Sequence, residues 1–427
     1  MNRAQLFLKE HKMTASDLNI GELCNLFIKE MENGLEGRNS SLIMIPTYIE
    51  VNKQITANQP VIAIDAGGTN FRTAKVYFND KMELITEKLK NGKMPAVEKE
   101  HSKKEFFETM AGYLNEYIND SDKIGLCFSY AVEIYPNKDG RLLEWSKEIK
   151  APEVIGEMVG KNLLDAMGTP EKEIVLLNDT VATLLAGHST AAGKKYDTFI
   201  GFILGTGTNT CYIESNKNIT KTKNLDLDKD QIINIESGNF AKVTQTDIDI
   251  LFDNQTKNPG RYTFEKMIAG GYFGGLCTTA LKVAADENIF SEKTRSEIKG
   301  MRDLTTEEVN KFVSNIDPDS NILTKALVTE EDKKLATIII EGIIERAAKL
   351  VAANLGAVIL KTGKAKSADN PVLMTIEGTT FYKLKNFQKM FDAFLQDFLS
   401  GDKKRYYEIT EVENSSLLGA AIAAIVN

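Results

Sequence analysis

The sequence predicts an α/β protein built from two related lobes, and three observations carry that reading. Val61 to Ile64 is a short apolar run after Pro60. Gly67-Gly68 follow, and residues 71 to 78 then alternate with a period of two, so strand, glycine turn and strand succeed one another. The same layout returns at Tyr196 to Leu204, Gly205 to Asn209 and Thr210 to Glu214. An internal repeat of one supersecondary unit points to two lobes of common design. Around both units, apolar strands that end in polar residues alternate with amphipathic helices, the pattern of an α/β fold.

The 427 residues are enough for two or three domains, and 42% hydrophobic content is enough for real cores. Sixty acidic and 52 basic side chains leave a net charge of −8 with no basic block, which argues against nucleic acid or an anionic membrane as partner. No apolar run reaches the roughly 20 residues of a membrane span, and the amino-terminal residues read as a charged helix rather than a signal peptide. Cys24, Cys127, Cys211 and Cys277 are scattered without metal or disulfide spacing, and the three histidines form no ligand pair. A cytoplasmic protein with reduced core cysteines is expected.

Residues 3 to 33 read as helices, ended by Asn33-Gly34, and Ser40 to Thr47 as extended chain. Lys88 to Lys104 is expected to be a charged surface loop. Residues 105 to 119 and 154 to 167 are predicted helices, with strands at 123 to 129 and 174 to 178. Asp179 closes the latter strand as a helix begins, where it could simply be an N-cap. Residues 215 to 231 read as a polar excursion, and Ile232 to Phe240 as a short strand that delivers Glu236. A helix is predicted from Pro259-Gly260 to Ala285, carrying Glu265, then peripheral helices to 329. Residues 330 to 360 form a long helix rich in small residues, expected in the central core. A strand at 371 to 376, the turn Glu377-Gly378-Thr379-Thr380, a helix to Leu399, a strand at 406 to 410 and a helix at 417 to 426 complete the chain.

The first turn brings Asp65, Gly67, Gly68, Thr69, Asn70 and Arg72 together. Glycines let backbone N–H groups approach a ligand closely, and the strand that follows separates this unit from a P-loop, where a helix and a Lys-Ser/Thr pair follow. Taken singly, such a turn is equally a plain hairpin connection. Two such turns, the second with Gly205, Thr206 and Gly207, could grip a nucleotide from both sides of a cleft.

Four stretches carry a family resemblance: Asp-Ala-Gly-Gly-Thr-Asn-Phe-Arg at 65–72, Leu-Asn-Asp-Thr-Val-Ala-Thr-Leu-Leu-Ala at 177–186, Gly-Thr-Gly-Thr-Asn-Thr-Cys-Tyr-Ile-Glu at 205–214 and Pro-Gly-Arg-Tyr-Thr-Phe-Glu-Lys-Met-Ile at 259–268. In this order they resemble the eukaryotic-type hexokinases and glucokinases. The resemblance implies a two-lobed actin-like ATPase (ribonuclease H-like) fold, each lobe a mixed sheet flanked by helices, with a cleft between them. Residues 48–177 with 413–427 are the expected small domain, and 1–47 with 178–412 the large one. It also implies ATP-dependent phosphorylation of a hexose at the 6-hydroxyl, glucose first, mannose or fructose next.

By the same resemblance Asp179 is the catalytic base and Lys147 the cation beside the transferring phosphoryl group. Ser129, Ser146, Lys147, Asn178, Asp179, Asn209, Glu236 and Glu265 contact the sugar. Asp65, Gly67, Gly68, Thr69, Asn70, Arg72, Gly205, Thr206, Gly207, Gly378, Thr379 and Ser415 contact ATP, with Asp65 holding Mg2+ through water. These types suit the task, since carboxylates accept from neighbouring hydroxyls while amides donate and accept. Two departures bear on the hexose: the family's Ser-Phe-Pro is Ser129-Tyr130-Ala131 here, and its Thr-Lys-Gly-Phe is Ser146-Lys147-Glu148-Ile149. A monomer or homodimer is expected. The rivals are a kinase for another sugar, such as an amino sugar, and a non-catalytic sugar- or nucleotide-responsive regulator of the same fold.

Overall fold

The structure, a computed structural model, describes residues 1–51, 56–145, 149–191 and 194–427. The strands gather into a five-stranded and a six-stranded sheet, with a separate hairpin of Ala131–Ile134 and Gly140–Glu144. The five-stranded sheet runs Leu84–Lys93, Asn70–Phe78, Val61–Gly67, Lys123–Phe128, Glu173–Leu177. The larger runs Ile45–Pro46, Asp230–Asn234, Thr208–Ser215, Thr198–Leu204, Val372–Glu377, Tyr407–Thr410.

Set aside the edge strand Ile45–Pro46, and the two sheets are wired alike. In each, the first strand turns at glycine into an antiparallel second, a third pairs antiparallel outside it, and the fourth and fifth add in parallel on the first strand's other side. The repeat seen in two hairpins thus extends to two whole sheets.

Between the sheets lie two helices. Asp179–Thr190 packs on the six-stranded sheet and Ser415–Val426 on the five-stranded one, and the two pack on each other. Their apolar faces join both sheets in one buried cluster. Glycines permit the spacing: a Cβ on Gly125 would meet the Ala420 carbonyl oxygen at 1.8 Å, and one on Gly419 the Ala182 carbonyl oxygen at 2.1 Å. The helix Glu330–Thr362 is the core helix expected, capped by the Thr329 side chain and by Gly363 in the left-handed region.

Three expectations need correction. Lys88 to Lys104 is not all loop, because the strand Leu84–Lys93 runs through it as a mostly exposed edge whose polar faces hide its period. The helix expected to run through Glu265 to Ala285 is two helices, Thr263–Ile268 and Gly270–Asp286, broken where Ala269 is extended. The helix expected from Val154 begins at Val159, after a 3₁₀ turn at Pro152–Val154. All four cysteines are buried and unpaired. No helix among the described residues is long and apolar enough to cross a membrane.

Candidate active site

Asn178 caps the helix Asp179–Thr190, its side-chain oxygen accepting from Thr180 N–H at 2.9 Å. Asp179 is the first helical residue and also accepts from Thr180 N–H, at 2.8 Å, with its carboxylate partly open to solvent. The cap is therefore Asn178, not Asp179. From Asn178 a chain of amides and carboxylates runs into the larger lobe. The oxygen of Asn209 accepts from the backbone N–H of Thr210 at 2.7 Å and of Ser237 at 3.3 Å, which obliges its NH2 to face Asn178 (3.4 Å), Asn234 (2.7 Å) and Glu236 (3.2 Å). Asn234 then donates to Glu236 Oε1 at 2.8 Å. That carboxylate oxygen is satisfied from the protein side, and the other accepts no hydrogen bond from the described residues.

Glu236 sits in the left-handed region, φ 59°, at the end of the strand Asp230–Asn234. Burial pushes its carboxyl up to about 7, Asn234's hydrogen bond pulls the other way, and Asp179 and Glu265 add to the rise. Glu265 accepts from Thr208 N–H at 2.9 Å and lies against Gly207, whose Cβ would meet its oxygen at 2.9 Å. Burial raises this carboxyl too. Just upstream, Tyr262 is left-handed (φ 55°), and its hydroxyl donates across the cleft to Glu144 at 3.1 Å.

The two glycine turns are held in the same sense. In the second, the Gly205 carbonyl accepts from Gly270 N–H (2.8 Å) and the Thr380 hydroxyl (2.9 Å), and the Thr206 carbonyl from Gly271 N–H (2.8 Å). In the first, the Gly68 carbonyl accepts from the Tyr130 hydroxyl (2.8 Å) and the Thr69 carbonyl from Met94 N–H (2.9 Å). A trans peptide points its N–H opposite to its C=O. With the carbonyls tied back, the N–H groups of Thr69, Thr206 and Gly207 point the other way, as a polyphosphate cradle requires, while that of Asn70 closes the hairpin opposite Gly67.

A third group is acidic. Asp65, 6% exposed, is held by Arg72 through Nε at 2.9 Å and through a second guanidinium contact, and Arg72 also donates to Asn414 at 2.9 Å. Burial raises Asp65; Arg72 opposes this and Asp179 adds to it. Glu377 accepts from Ser415 and from Thr183 (3.2 Å), and burial raises it with help from Asp179 and Asp65. Asp179 thus adds to the rise of both Asp65 and Glu377, and such a set of carboxylates fits a hard divalent cation. Among the described residues no three are close enough to ligate one directly.

Of the expected residues, Asn178, Asn209 and Glu236 are linked in one polar chain, Asp179 shares the Thr180 N–H with Asn178, and Glu265 accepts from Thr208 N–H one residue before Asn209. Of the second turn's Gly205, Thr206 and Gly207, Gly205 meets Gly378, where a Cβ would strike the Leu204 carbonyl oxygen at 2.2 Å, and Thr379 opens the next helix on the surface. Asp65, Gly67, Gly68, Thr69, Asn70 and Arg72 share the opposite turn, Ser129 lies against Gly67, and Ser415 reaches the site through Glu377. Ser146 and Lys147 lie outside the described residues. Sequence reasoning missed Asn234, Glu377 and Asn414. Asn234 had no strand-period signal, because the strand expected at 232 to 240 ends there and Glu236 lies two residues beyond it.

Two repeated lobes, each offering a glycine turn and carboxylates to a common cleft, define a phosphate-handling protein of the actin-like ATPase fold. Two sequence models described as hexokinase match the chain, over residues 5–189 and 199–426. The chain is 28% identical to hexokinase-7 of Oryza sativa subsp. japonica over 92% of its length and 90% of the relative's. It is likewise 28% identical to hexokinase-1 of Spinacia oleracea, over 92% and 85%. A Schistosoma mansoni hexokinase complexed with glucose superposes with a TM-score of 0.78 at 23% identity, covering 99% of both chains. A second hexokinase crystal structure gives 0.80 at 22%, covering 99% of this chain and 98% of the other. The chain belongs to the hexokinase family, and its reaction is the ATP-dependent phosphorylation of a hexose.

Proposed function

We propose that the hexose is glucose, with mannose and fructose as lesser substrates, and that the phosphoryl group goes to the 6-hydroxyl with Asp179 as general base. As the sugar oxygen bonds to the γ-phosphorus, its proton passes to the Asp179 carboxylate, and the bond to the β-phosphate oxygen breaks to release ADP. The observation that carries this reading is the position of Asp179. Its carboxylate is partly open at a helix start, beside an Asn178–Asn209–Asn234–Glu236 chain poised to receive hydroxyls. Asn178, Asn209, Glu236, Glu265 and Ser129 bind the sugar in this reading, together with Ser146 and Lys147. The two turns, with Arg72, Gly378, Thr379 and Ser415, bind ATP. Asp65 would hold Mg2+ through water, an ion that neutralises phosphate charge when bound. Residues 48–177 with 413–427 would move as the small domain against 1–47 with 178–412, excluding water on closure. A cytoplasmic monomer or homodimer completes the proposal.

The test is ATP turnover with glucose, mannose, fructose and N-acetylglucosamine, for the wild type and Asp179→Ala. Turnover fastest with glucose, and a loss of about a hundredfold or more in kcat for the variant, are expected. Preference for N-acetylglucosamine would move the reading to an amino-sugar kinase. Near-normal kcat in the variant would remove Asp179 as base.

A further inference from the structure

We propose that Tyr130 is a positioning residue that couples the sugar-side loop to the nucleotide's first glycine turn. The proposal rests on the reading above, in which the turn at Gly67–Asn70 receives phosphate and Ser129 faces the sugar.

The sequence sets this position apart, because a tyrosine stands where the family has phenylalanine, and the proline after it is Ala131. Structure shows what the added hydroxyl reaches. Tyr130 is 3% exposed, and its hydroxyl lies 2.8 Å from the Gly68 carbonyl, 62 residues earlier in the chain. Gly68 is the turn residue with φ +59°. Because the peptide is planar and trans, holding this carbonyl also sets the direction of the Thr69 N–H on the same plane. A free hairpin turn at a doubled glycine has many conformations to lose. The tyrosine hydroxyl removes that freedom before the phosphate arrives.

The ring does the other half. It meets Trp145, the only tryptophan, edge-on at 4.8 Å and 88°, and Phe128 at 4.8 Å. Trp145 is itself anchored, its indole N–H donating to the Ala151 carbonyl at 2.9 Å and its ring packing on Phe106. Tyr130 also follows Ser129, whose hydroxyl lies against Gly67 and whose N–H donates to the Ala66 carbonyl at 3.2 Å. One side chain therefore touches the phosphate turn, the sugar loop and Trp145. Where proline would stiffen the sugar loop by its own ring, this chain holds the loop by a hydrogen bond to the nucleotide's turn. A movement of either is passed to the other.

The test is Tyr130→Phe, which removes one oxygen and keeps the ring. The readouts are KM for ATP, KM for glucose, and Trp145 emission on adding ADP or glucose. Tyr77→Phe is the control: it deletes a hydroxyl that donates to Glu87 at 2.9 Å, near the end of the same hairpin remote from the turn. Expected is a rise of about fivefold in KM for ATP, the change a lost neutral hydrogen bond produces. KM for glucose should stay within about twofold, the ADP-induced change in Trp145 emission should fall by about half or more, and Tyr77→Phe should do none of this. An unchanged KM for ATP, or equal rises in both KM values, overturns the proposal, as does an ADP response that survives intact. If the wild type phosphorylates no hexose, the sugar reading fails. The ADP response of the two proteins then decides on Tyr130 alone.

Discussion

Glu236 should make hexose binding depend on pH, and the structure sets the size of the effect. Its carboxyl is pushed up to about 7, chiefly by burial, with Asp179 and Glu265 adding to the rise. As an ion it can accept from sugar hydroxyls through the oxygen that Asn234 and Asn209 leave free. At about pH 6 only about a tenth of the protein carries the ion, and at about pH 8 about nine-tenths. Hexose affinity should therefore rise about tenfold across that span and level off above it. Because the bound hydroxyls favour the ion, binding at about pH 6 should expel nearly one proton per sugar and at about pH 8.5 almost none. Titration calorimetry in two buffers of different ionisation enthalpy reads this directly. Folding moves the other way. A carboxyl raised from 4.5 in the unfolded chain to about 7 contributes stability that is present below about pH 4.5 and lost as pH climbs through about 7. Glu236→Gln should bind sugar more weakly, release less of the proton, and melt higher than the wild type at about pH 8 in the absence of sugar. Affinity flat from about pH 6 to pH 8, or an unaltered pH slope in Glu236→Gln, refutes the reasoning.

Two further outcomes follow from the contacts. Asn234→Asp puts a second carboxylate beside Glu236 Oε1, so the pH midpoint for hexose binding should move up by about one unit or more while KM for ATP stays put; steady-state kinetics across pH checks it. Gly419→Ala drives a methyl into the Ala182 carbonyl between the lobes and should cost about 1–3 kcal/mol in chemical denaturation, whereas Gly300→Ala, with open space around it, should be neutral or mildly stabilising.

What was legible in the sequence was local. Each strand–glycine–strand unit is contiguous, so its period and turn could be read without knowing its neighbours, and the repeat of that unit announced two lobes. The parallel strand Val372–Glu377 is different. It enters beside Thr198–Leu204 from some 170 residues away, and nothing in its apolar run names that partner. The edge strand Leu84–Lys93 was hidden for the opposite reason, since with most of its length solvated it carries the composition of a loop. The break at Ala269 was hidden by a continuous apolar pattern. It exists because Gly270 and Gly271 turn their N–H groups to the second glycine turn, a contact made only in three dimensions. Asp179, Glu236 and Glu265 were found as positions. That Asn234 and Asn209 orient Glu236 could emerge only from the hydrogen bonds.

That same break bears on how the two turns differ. They repeat in sequence and in the direction of their N–H groups, yet they are secured by unlike means. The second is tied to a helix start and to Thr380, all within the lobe that carries Asn209, Glu236 and Glu265. Its ties lie on the same framework as the sugar ligands of the proposed reading. The first is tied by one backbone N–H and by a side chain from the loop that bears Ser129. Its geometry therefore answers to whatever that loop is doing. In the proposed reading, where Ser129 binds the sugar, a sugar that settles its loop also settles the first turn, and the ATP jaw on that side is complete only when the acceptor is in place. An ordering of this kind disfavours transfer to water in the empty enzyme, and it does so without any group that must touch both substrates.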